Sequence, residues 1–378
     1  MTAPAAALSV PTTTDDAIYV APPWKLMWWR FRKHRMAVIS AVVLFVLYAA
    51  ALLAEIVAPY DPFAFDSRYT YAPPQPVHLF DAAGQFQGPF TYEFKKFRDP
   101  ETFELVFTED TSKAHPIRLF VAGEPYKMWG VIRADLHLFG VTDIDKNGTM
   151  FLLGTDDKGR DLLSRLIFGT RVSLSVSLIG TALSLALGVL LGGISGYFGG
   201  WIDNLVQRTI ELFQSIPTLP LWMGLAAAIP LNWDPLTVYL LITVLLSLLS
   251  WTTMAREVRG RFLSMREEDF VLAAKLLGAG DMRIILRHMV PSFMSHIIAI
   301  TTVKIPELIL NETALSFIGL GLRPPVISWG VLLHDAQKVS TIALAPWMLL
   351  PAAVLVVTIV AFNFVGDGLR DAADPYVR

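Results

Sequence analysis

The amino-acid sequence predicts an all-α polytopic membrane protein with six transmembrane helices and a small β-containing extracytoplasmic insert between the first and second spans. Of the 378 residues, 54% are hydrophobic and 17% are charged, and the mean hydropathy is +0.50. This composition is too apolar for an ordinary soluble enzyme of this length. The net charge of -2 gives no basic field, which argues against a nucleic-acid partner. The absence of cysteine excludes disulfide bonds and thiolate metal sites.

The N-terminal part of the chain predicts a tail followed by the first span. Residues 1–23 are rich in Ala, Thr and Pro, which predicts a disordered cytoplasmic tail. Residues 24–58 combine a basic, aromatic stretch with an uncharged run from Met36 to Ala54 that continues apolar to Ala58, long enough to cross about 30 Å of hydrocarbon. Cations without acids before this run place the N-terminus in the cytoplasm. A cleaved signal peptide is the alternative, but the apolar run exceeds a usual signal core.

Residues 59–161 predict the extracytoplasmic insert. The segment is polar and irregular, with many prolines and with short alternating runs such as residues 90–94 and 116–121. Alternation of apolar and polar side chains is typical of short, half-buried strands. A small soluble unit with β-structure is therefore expected between the first and second spans.

Five further spans are predicted in residues 162–378, which form a five-helix core. An amphipathic helix near residues 161–168 leads into them. The predicted spans cover residues 172–194, 209–229, 237–254, 284–310 and 346–365. Six spans return the C-terminus to the cytoplasm, and the cations between spans four and five obey the positive-inside bias. The predicted topology places Arg160, Arg165 and Arg171 on the extracytoplasmic side, which is a mild objection to it.

The stretch between spans four and five, residues 256–287, is the most informative segment. Ser264 and Glu267 have capping-box spacing, which predicts a short helix starting there, and Gly278 and Gly280 are predicted to end it. Asp281 is predicted to cap the next helix. Small and apolar side chains at helical spacing predict one exposed stripe, made of Phe270, Ala273, Ala274 and Leu277. Such a helix either docks into a partner groove or lies on lipid, and composition leaves both open.

This segment resembles the coupling loop of ABC importer permeases, the "EAA" loop, which docks into the ATP-binding subunit. The resemblance rests on Ala273-Ala274, Gly278 and Pro291. Leu272 departs from the pattern, because the family usually has glutamate there, and this puts a polar contact from that position in doubt. The resemblance implies a set of docking residues, namely Asp269, Phe270, Val271, Ala273, Ala274, Lys275, Leu277 and Gly278.

Two further motifs narrow the resemblance to the dipeptide, oligopeptide and nickel permeases. Residues 153–165 are similar to the family motif LGTDxxGRDxxSR, and residues 311–321 with 328–330 are similar to EAxLSFLGLG followed by SWG. The extracytoplasmic motif positions are Gly154, Asp156, Gly159, Arg160, Asp161 and Arg165. Residues 62–150 are not covered by the resemblance, so the insert is expected to be an elaboration.

The resemblance implies a type I ABC importer permease fold in a bacterial inner membrane, with lipid around the spans. It implies a second, related permease as heterodimer partner, two ATP-binding subunits that carry ATP and magnesium, and an extracytoplasmic substrate-binding protein. The cargo would be short peptides, or nickel chelates, opines or oligosaccharides. The insert is expected to contact the binding protein or to cover the cavity, and a passive folded linker is equally compatible with its sequence.

Three features inside the predicted spans are candidates for packing or for the translocation pathway. Gly188, Gly192, Gly196 and Gly200 are four apart, and we interpret them as a close helix contact rather than a substrate contact. Pro217 and Pro220 predict a kink or a gate in the third span.

Lys304 and Glu307 are the third feature and are three apart near the predicted outer end of the fifth span. They form an ion pair facing the pathway, or they extend to the membrane surface.

Catalytic and nucleotide-binding motifs are absent from the sequence. There is no His-Glu-x-x-His pair and no Gly-x-x-x-x-Gly-Lys-Ser/Thr loop. We therefore expect no catalytic residue, no metal and no cofactor in this chain, with the energy supplied by another subunit. A self-sufficient channel or secondary transporter is the alternative function, and a membrane hydrolase lacks a recognisable catalytic set.

Overall fold

The structure, a computed structural model, describes residues 23–98, 100, 105–141, 148–230 and 232–373. The predicted tail therefore lies outside the described residues except for Pro23, where the first helix begins. Helix α1 spans Pro23–Lys33, α2 spans Arg35–Leu52, and the short α3 spans Ala54–Val57. The side chain of His34 caps α2 by accepting a hydrogen bond from the backbone N–H of Ala37. The α2 helix corresponds to the first predicted span.

A four-stranded antiparallel sheet follows, in the order β1-β2-β3-β4. Its strands are His78–Phe80, Phe86–Arg98, Leu105–Met128 and Ile132–Val141. The runs 90–94 and 116–121 lie in β2 and β3, where Phe90 pairs with Pro116. Tyr69, Ala72, Phe94 and Phe151 form a small core beneath the sheet. The alternating side chains thus form a folded unit between α3 and the next long helix.

Helix α4 is an unbroken element of 37 residues, Leu162–Phe198. The amphipathic helix expected at residues 161–168 is its first part, because Asp161 caps the N-terminus and no helix-breaking residue follows. It packs along α7, which spans Pro235–Met265. Ser175, Ser184 and Gly196 of α4 contact Tyr239, Ser247 and Phe262 of α7 in the same order, so the two helices run parallel and form the centre of the helical bundle.

The third predicted span, residues 209–229, is not a single helix. Helix α5 spans Gly200–Ser215 and α6 spans Thr218–Ala227, and the chain is extended at Ile216 and Pro217 between them. Proline lacks the N–H that would continue the helix, so the predicted kink at Pro217 is a complete break. The ten residues of α6 reach about 15 Å, which is half of a bilayer core.

The second half of the chain is less regular than the sequence predicts. Helix α7 continues past residue 254 to Met265 and is followed by α8, Asp269–Leu276. Residues 281–292 form α9, Asp281–Arg283, a π-helical turn, Ile284–Met289, and α10, Val290–Ser292. The chain then bends by 74° into α11, Met294–Phe317. The remaining helices are α12, Trp329–Ala336, α13, Val339–Leu344, and α14, Leu350–Ala373.

Four helices of the described residues are long and apolar enough to cross a membrane, or five if the bent pair around Phe293 is one span. The four are α2, α4, α7 and α14 with its preceding turn, and the bent pair, which ends in α11, is the fifth. Six spans are thus not confirmed. The main core joins Leu44, Leu174, Ile309 and Phe362, which come from four of these helices. The fold is a helical polytopic bundle with a small sheet near its N-terminal end.

Candidate functional site

Helix α8 starts at Asp269, later than the predicted start at Ser264, and it ends just before Gly278, as the sequence predicts. Ser264 and Glu267 do not form a capping box, because α7 continues through Ser264 to bury Phe262 and Met265. Glu268 occupies the N-cap position, and its side chain makes no capping hydrogen bond. The capping-box prediction is therefore wrong.

The C-terminal end of α8 is a Schellman motif around Gly278. Gly278 has φ +77, its N–H donates to the carbonyl of Lys275, and the N–H of Ala279 donates to the carbonyl of Ala274. Asp281 does not cap the next helix, because Gly280 holds that position. Instead, the Asp281 carboxylate accepts a 2.7 Å hydrogen bond from the Tyr197 hydroxyl.

The predicted apolar stripe of α8 is divided between two faces. Val271 and Ala274 are buried in a core with Phe262, Met265 and Ile284. Phe270 and Leu277 point away from that core, and Ala273 is also exposed. At 100° per residue, Ala274 falls about 60° from Val271, whereas Leu272, Ala273 and Leu276 fall about 100° or more from both, and Phe270 and Leu277 lie at the edge between the two faces. The inner face thus fixes α8 to the bundle, and the outer face is free.

The outer face of α8, defined by Phe270, Leu272, Ala273, Leu276 and Leu277, is strongly apolar. Leu276 and Leu277 are 89% and 87% exposed, and Leu272 is also exposed. Two adjacent leucines left in this state make an uncovered patch at the end of a short helix. An uncovered apolar patch outside the spans is typical of a surface that another protein covers.

The polar residues of α8 lie around this patch. Asp269 occupies the first turn, where the helix dipole favours an acid. The Lys275 ammonium lies 4.8 Å from the ring centre of Tyr197, at the end of α4. These contacts orient α8 with respect to α4 and keep its outer face away from the bundle.

An ion pair that sequence reasoning missed holds α5 to α7 near the same end of the bundle. Arg259 donates through Nε and Nη2 to the two carboxylate oxygens of Asp203, both at 2.5 Å. The two residues are 56 positions apart, so no local spacing indicates the pair.

The glycines of α4 lie at its contact with α7. A Cβ added to Gly188 would lie 2.5 Å from Cγ of Met254, and one added to Gly196 would lie 2.6 Å from Cβ of Phe262. At Gly192 the clash is with the backbone, 2.4 Å from the carbonyl oxygen of Ala255. Gly200, the fourth of the series, starts α5 and has nothing within 4 Å. The first three glycines thus occupy a tight helix contact.

We expect Gly192→Ala to destabilise the protein by about 1–3 kcal/mol, because a methyl group beside a backbone carbonyl forces α4 and α7 apart. The measurement is the thermal unfolding midpoint in detergent. Gly260→Ala on α7 is the matched control, since nothing lies within 4 Å of it and alanine favours helices. Equal unfolding midpoints for the two variants would contradict the tight contact.

The motif at residues 154–165 forms a buried ion-pair network where the sheet meets α4. The Asp156 carboxylate accepts from Nε of Arg160 at 2.7 Å and from Nη1 of Arg165. Arg165 also lies 3.4 Å from the carboxylate of Asp335, near the end of α12. The motif residues therefore tie three parts of the chain together.

Two glycines and Asp161 complete this network. Gly154 and Gly159 both have positive φ, and a Cβ on either would strike the carbonyl oxygen of Ala72 or Asp66. Asp161 caps α4 by accepting from the backbone N–H and the hydroxyl of Ser164, both at 2.7 Å. Burial raises the pKa of Asp161 to about 6. The motif positions shape the start of α4.

Lys304 and Glu307 form an ion pair of 2.9 Å on α11. Helix α11 extends to Phe317, beyond the predicted end of the span at residue 310, so the pair lies midway along the helix and not near its end. Ten residues, or about 15 Å of helix, separate the pair from either end. Ionisable groups at the centre of a span face protein or a water-filled space.

A second polar cluster on α11 surrounds Glu312, which the sequence analysis did not single out. The buried Glu312 carboxylate accepts hydrogen bonds from the hydroxyls of Ser173 and Ser316, at 3.1 and 2.8 Å. Ser173 in turn accepts from the backbone N–H of Trp329. The resemblance of residues 311–321 and 328–330 to a family motif was the available signal. This cluster joins α4, α11 and α12 without solvent.

No group of three or more His, Asp or Glu side chains in the described ranges is arranged to hold a metal ion. The candidate site is therefore the outer face of α8, with the Lys304–Glu307 pair as a second feature inside the span.

Comparison with known proteins decides the family. Residues 188–378 match the family described as the binding-protein-dependent transport system inner membrane component. Residues 22–74 match the N-terminal transmembrane domain of oligopeptide transport permease C. The chain belongs to this permease family. The membership confirms the resemblance seen in the sequence and makes the chain a transport permease rather than an enzyme.

Individual relatives of the permease carry names of the same kind. The oligopeptide transport system permease protein OppC of Escherichia coli strain K12 is 43% identical over 226 residues, 60% of this chain and 72% of OppC. The dipeptide transport system permease protein DppC of Lactococcus lactis subsp. cremoris is 31% identical over 350 residues, 92% of this chain and 89% of DppC. These relatives do not favour a self-sufficient channel. The sheet of the permease, residues 78–141, lies between the two family matches.

Proposed function

We propose that the permease forms half of the translocation pathway of an ATP-binding-cassette importer for short peptides. The observation that carries the proposal is the uncovered apolar outer face of α8, which suits the groove of a separate ATP-binding subunit. The names of the oligopeptide and dipeptide relatives support peptides as cargo. Nickel chelates, opines and oligosaccharides are the competing cargoes.

The proposed assembly has three kinds of partner. A second, related permease completes the pathway, two ATP-binding subunits hold ATP and magnesium, and a substrate-binding protein delivers the cargo. Membership of a binding-protein-dependent family supports this set in general terms. The chain itself has no catalytic residue in this proposal, because ATP hydrolysis takes place on the partner subunits.

The proposed topology has six crossings, with both termini and α8 in the cytoplasm and the sheet outside. The third crossing would be made by α5 and α6 together, and the break at Pro217, which is exposed in this chain, would be covered by the partner permease. Phe31 of α1 packs with Ala372 of α14, which supports a common side for the two ends. The cations Arg256, Arg261 and Arg266 near α8 suit the cytoplasmic side.

The proposed coupling begins at α8. Its inner residues Val271 and Ala274 share a core with Phe262 of α7, so a displacement of α8 displaces the end of α7. The glycine contact then transmits the movement to α4, since no space at that contact absorbs it. Closure of the ATP-binding subunits would rock the spans around a central cavity and alternate its access.

The Lys304–Glu307 pair is proposed to line the pathway. Both side chains lie at the centre of α11, where exposure to lipid costs several kcal/mol. Glu307 is 54% exposed in the isolated chain, so a partner permease or the aqueous pathway must cover it. A zwitterionic peptide offers charges of both signs to such a pair.

Reconstitution tests the proposed function. Proteoliposomes that hold this permease, the partner permease and the ATP-binding subunits are expected to take up a labelled tripeptide only with external binding protein and internal ATP. Omitting the ATP-binding subunits is the control. Uptake driven by an ion gradient without those subunits would show a secondary transporter instead.

A further inference from the structure

The tip of the β3–β4 hairpin lies beside the end of the first span. Strand β3 ends at Met128, β4 begins at Ile132, and residues 129–131 make the turn. Trp129 donates through Nε1 to the carbonyl oxygen of Leu52, the last residue of α2, at 3.0 Å. Its backbone N–H donates to Oε1 of Glu55 at 3.1 Å. The turn is therefore fixed to the point where the chain leaves the membrane.

The hairpin points along the span toward the membrane. Further from the tip, Nδ1 of His137 lies 2.7 Å from the carbonyl oxygen of Ala58. Moving from His137 to Trp129 toward the tip thus corresponds to moving from Ala58 back to Leu52, about 9 Å toward the centre of α2. An outward-pointing hairpin would give the opposite order of contacts.

The depth of the tip follows from the length of α2. Its 18 residues reach about 27 Å, close to the roughly 30 Å of a hydrocarbon core. Leu52 therefore lies at the membrane boundary. The ion pair between Arg171 of α4 and Glu55 marks the same level, because the apolar stretch of α4 starts directly after Arg171. The Trp129 ring sits at the level where tryptophan is enriched in membrane proteins.

The side chains of the tip suit a lipid leaflet. Val131 is 81% exposed, and Trp129 and Ile132 are each 54% exposed. Trp129 has φ +49, a backbone conformation that bulky residues rarely adopt. Such conformations are found mostly at functional sites. An apolar turn at the membrane boundary is covered most simply by the acyl chains that already cover α2.

Two cations form the next layer of the hairpin. Lys127 and Arg133 are direct cross-strand partners and both are exposed. Within the described part of the chain, neither side chain forms an ion pair. Like charges in this position repel each other unless an anion lies between them. Lipid phosphates provide such anions immediately outside the hydrocarbon boundary.

We propose that the β3–β4 tip is a membrane anchor. Val131 and Ile132 insert into the leaflet at the end of the first span, and Lys127 and Arg133 bind the phosphates of anionic phospholipids. The anchor fixes the sheet at a defined height and orientation over the membrane. A protein partner is the competing occupant of the same surface.

Site-directed labelling tests the anchor in the full chain, which has no cysteine of its own. Val131→Cys carries a nitroxide, and the protein is placed in nanodiscs of phosphatidylethanolamine and phosphatidylglycerol. We expect the label to be several-fold more accessible to oxygen than to a water-soluble nickel chelate. Ala83→Cys in the β1–β2 turn is the control and is expected to favour the nickel chelate. A label at residue 131 that is as accessible to the nickel chelate as the label at residue 83 would overturn the proposal.

The cation layer has its own test with the same label. Lys127→Gln with Arg133→Gln is expected to shift residue 131 toward the nickel chelate in nanodiscs that contain phosphatidylglycerol. Arg118→Gln is the matched control, because Arg118 is exposed on the same hairpin but about 30 Å from the tip. An unchanged label position in the double variant would refute phosphate binding by the two cations.

Discussion

Leu277→Glu is expected to abolish ATP-dependent peptide uptake and to release the ATP-binding subunits from the membrane complex. Leu277 is 87% exposed on the outer face of α8, so the substitution leaves the chain's own core intact. A carboxylate placed in an apolar groove loses its hydration without gaining a partner, which costs several kcal/mol. Such a cost corresponds to a loss of about a hundredfold or more in affinity. Co-purification of the ATP-binding subunits and uptake in proteoliposomes are the measurements.

Leu119→Glu is the matched control for this substitution. Leu119 is a similarly exposed leucine on the sheet, away from α8. It is expected to leave co-purification of the ATP-binding subunits unchanged. The docking role of α8 would be wrong if Leu277→Glu retained those subunits and transported at the original rate.

Lys304→Met is expected to lower uptake by at least tenfold. The substitution leaves the Glu307 carboxylate without its 2.9 Å partner midway along α11, and an unpaired charge within a membrane costs about 3 kcal/mol or more. The variant is expected to show a lower thermal unfolding midpoint in detergent and slower uptake at saturating peptide. Both quantities are measured against the unmodified permease.

The double variant with Lys304→Met and Glu307→Met separates structure from transport. It removes both charges, so the unfolding midpoint is expected to recover. If the pair lines the pathway, uptake stays low in spite of this recovery. Full recovery of uptake would show that the pair only stabilises α11 and would remove it from the pathway.

The sequence predicts the end of α8 better than its start, and the reason is physical. Gly278 ends the helix through its own backbone conformation, which is a local property. Ser264 and Glu267 have the spacing of a cap, but burial of Phe262 and Met265 extends α7 through that position. Tertiary packing outweighs a capping preference of about 1 kcal/mol.

The separation of the α8 stripe into a buried face and an exposed face also could not be predicted from the spacing of the residues alone. Ala274 and Leu277 share helical spacing, and only the surrounding helices decide that the first is buried and the second exposed. A charge at Ala274 would therefore disturb folding and would not report on docking. The same limit applies to Asp203 and Arg259, whose pairing depends on the relative position of α5 and α7.

The third span shows where hydropathy alone misleads. Residues 209–229 are apolar enough to suggest one crossing, but Pro217 ends one helix and begins another. Hydropathy averages over a window and is insensitive to a single missing N–H. By contrast, the glycines at 188, 192 and 196 were interpretable from spacing, because a repeat of four keeps them on one helix face.

The length of α4 has a consequence for communication across the membrane. Its 37 residues reach about 55 Å, well beyond a bilayer core, and the helix contains no proline. One of its ends holds the Asp156–Arg165 network, and the other contacts Asp281 and Lys275 through Tyr197. In the proposed topology, one unbroken helix thus extends from one aqueous phase to the other. In the proposed importer, cargo delivery on one side and nucleotide state on the other would act on the same helix, and thermodynamic reciprocity would then require each to bias the other.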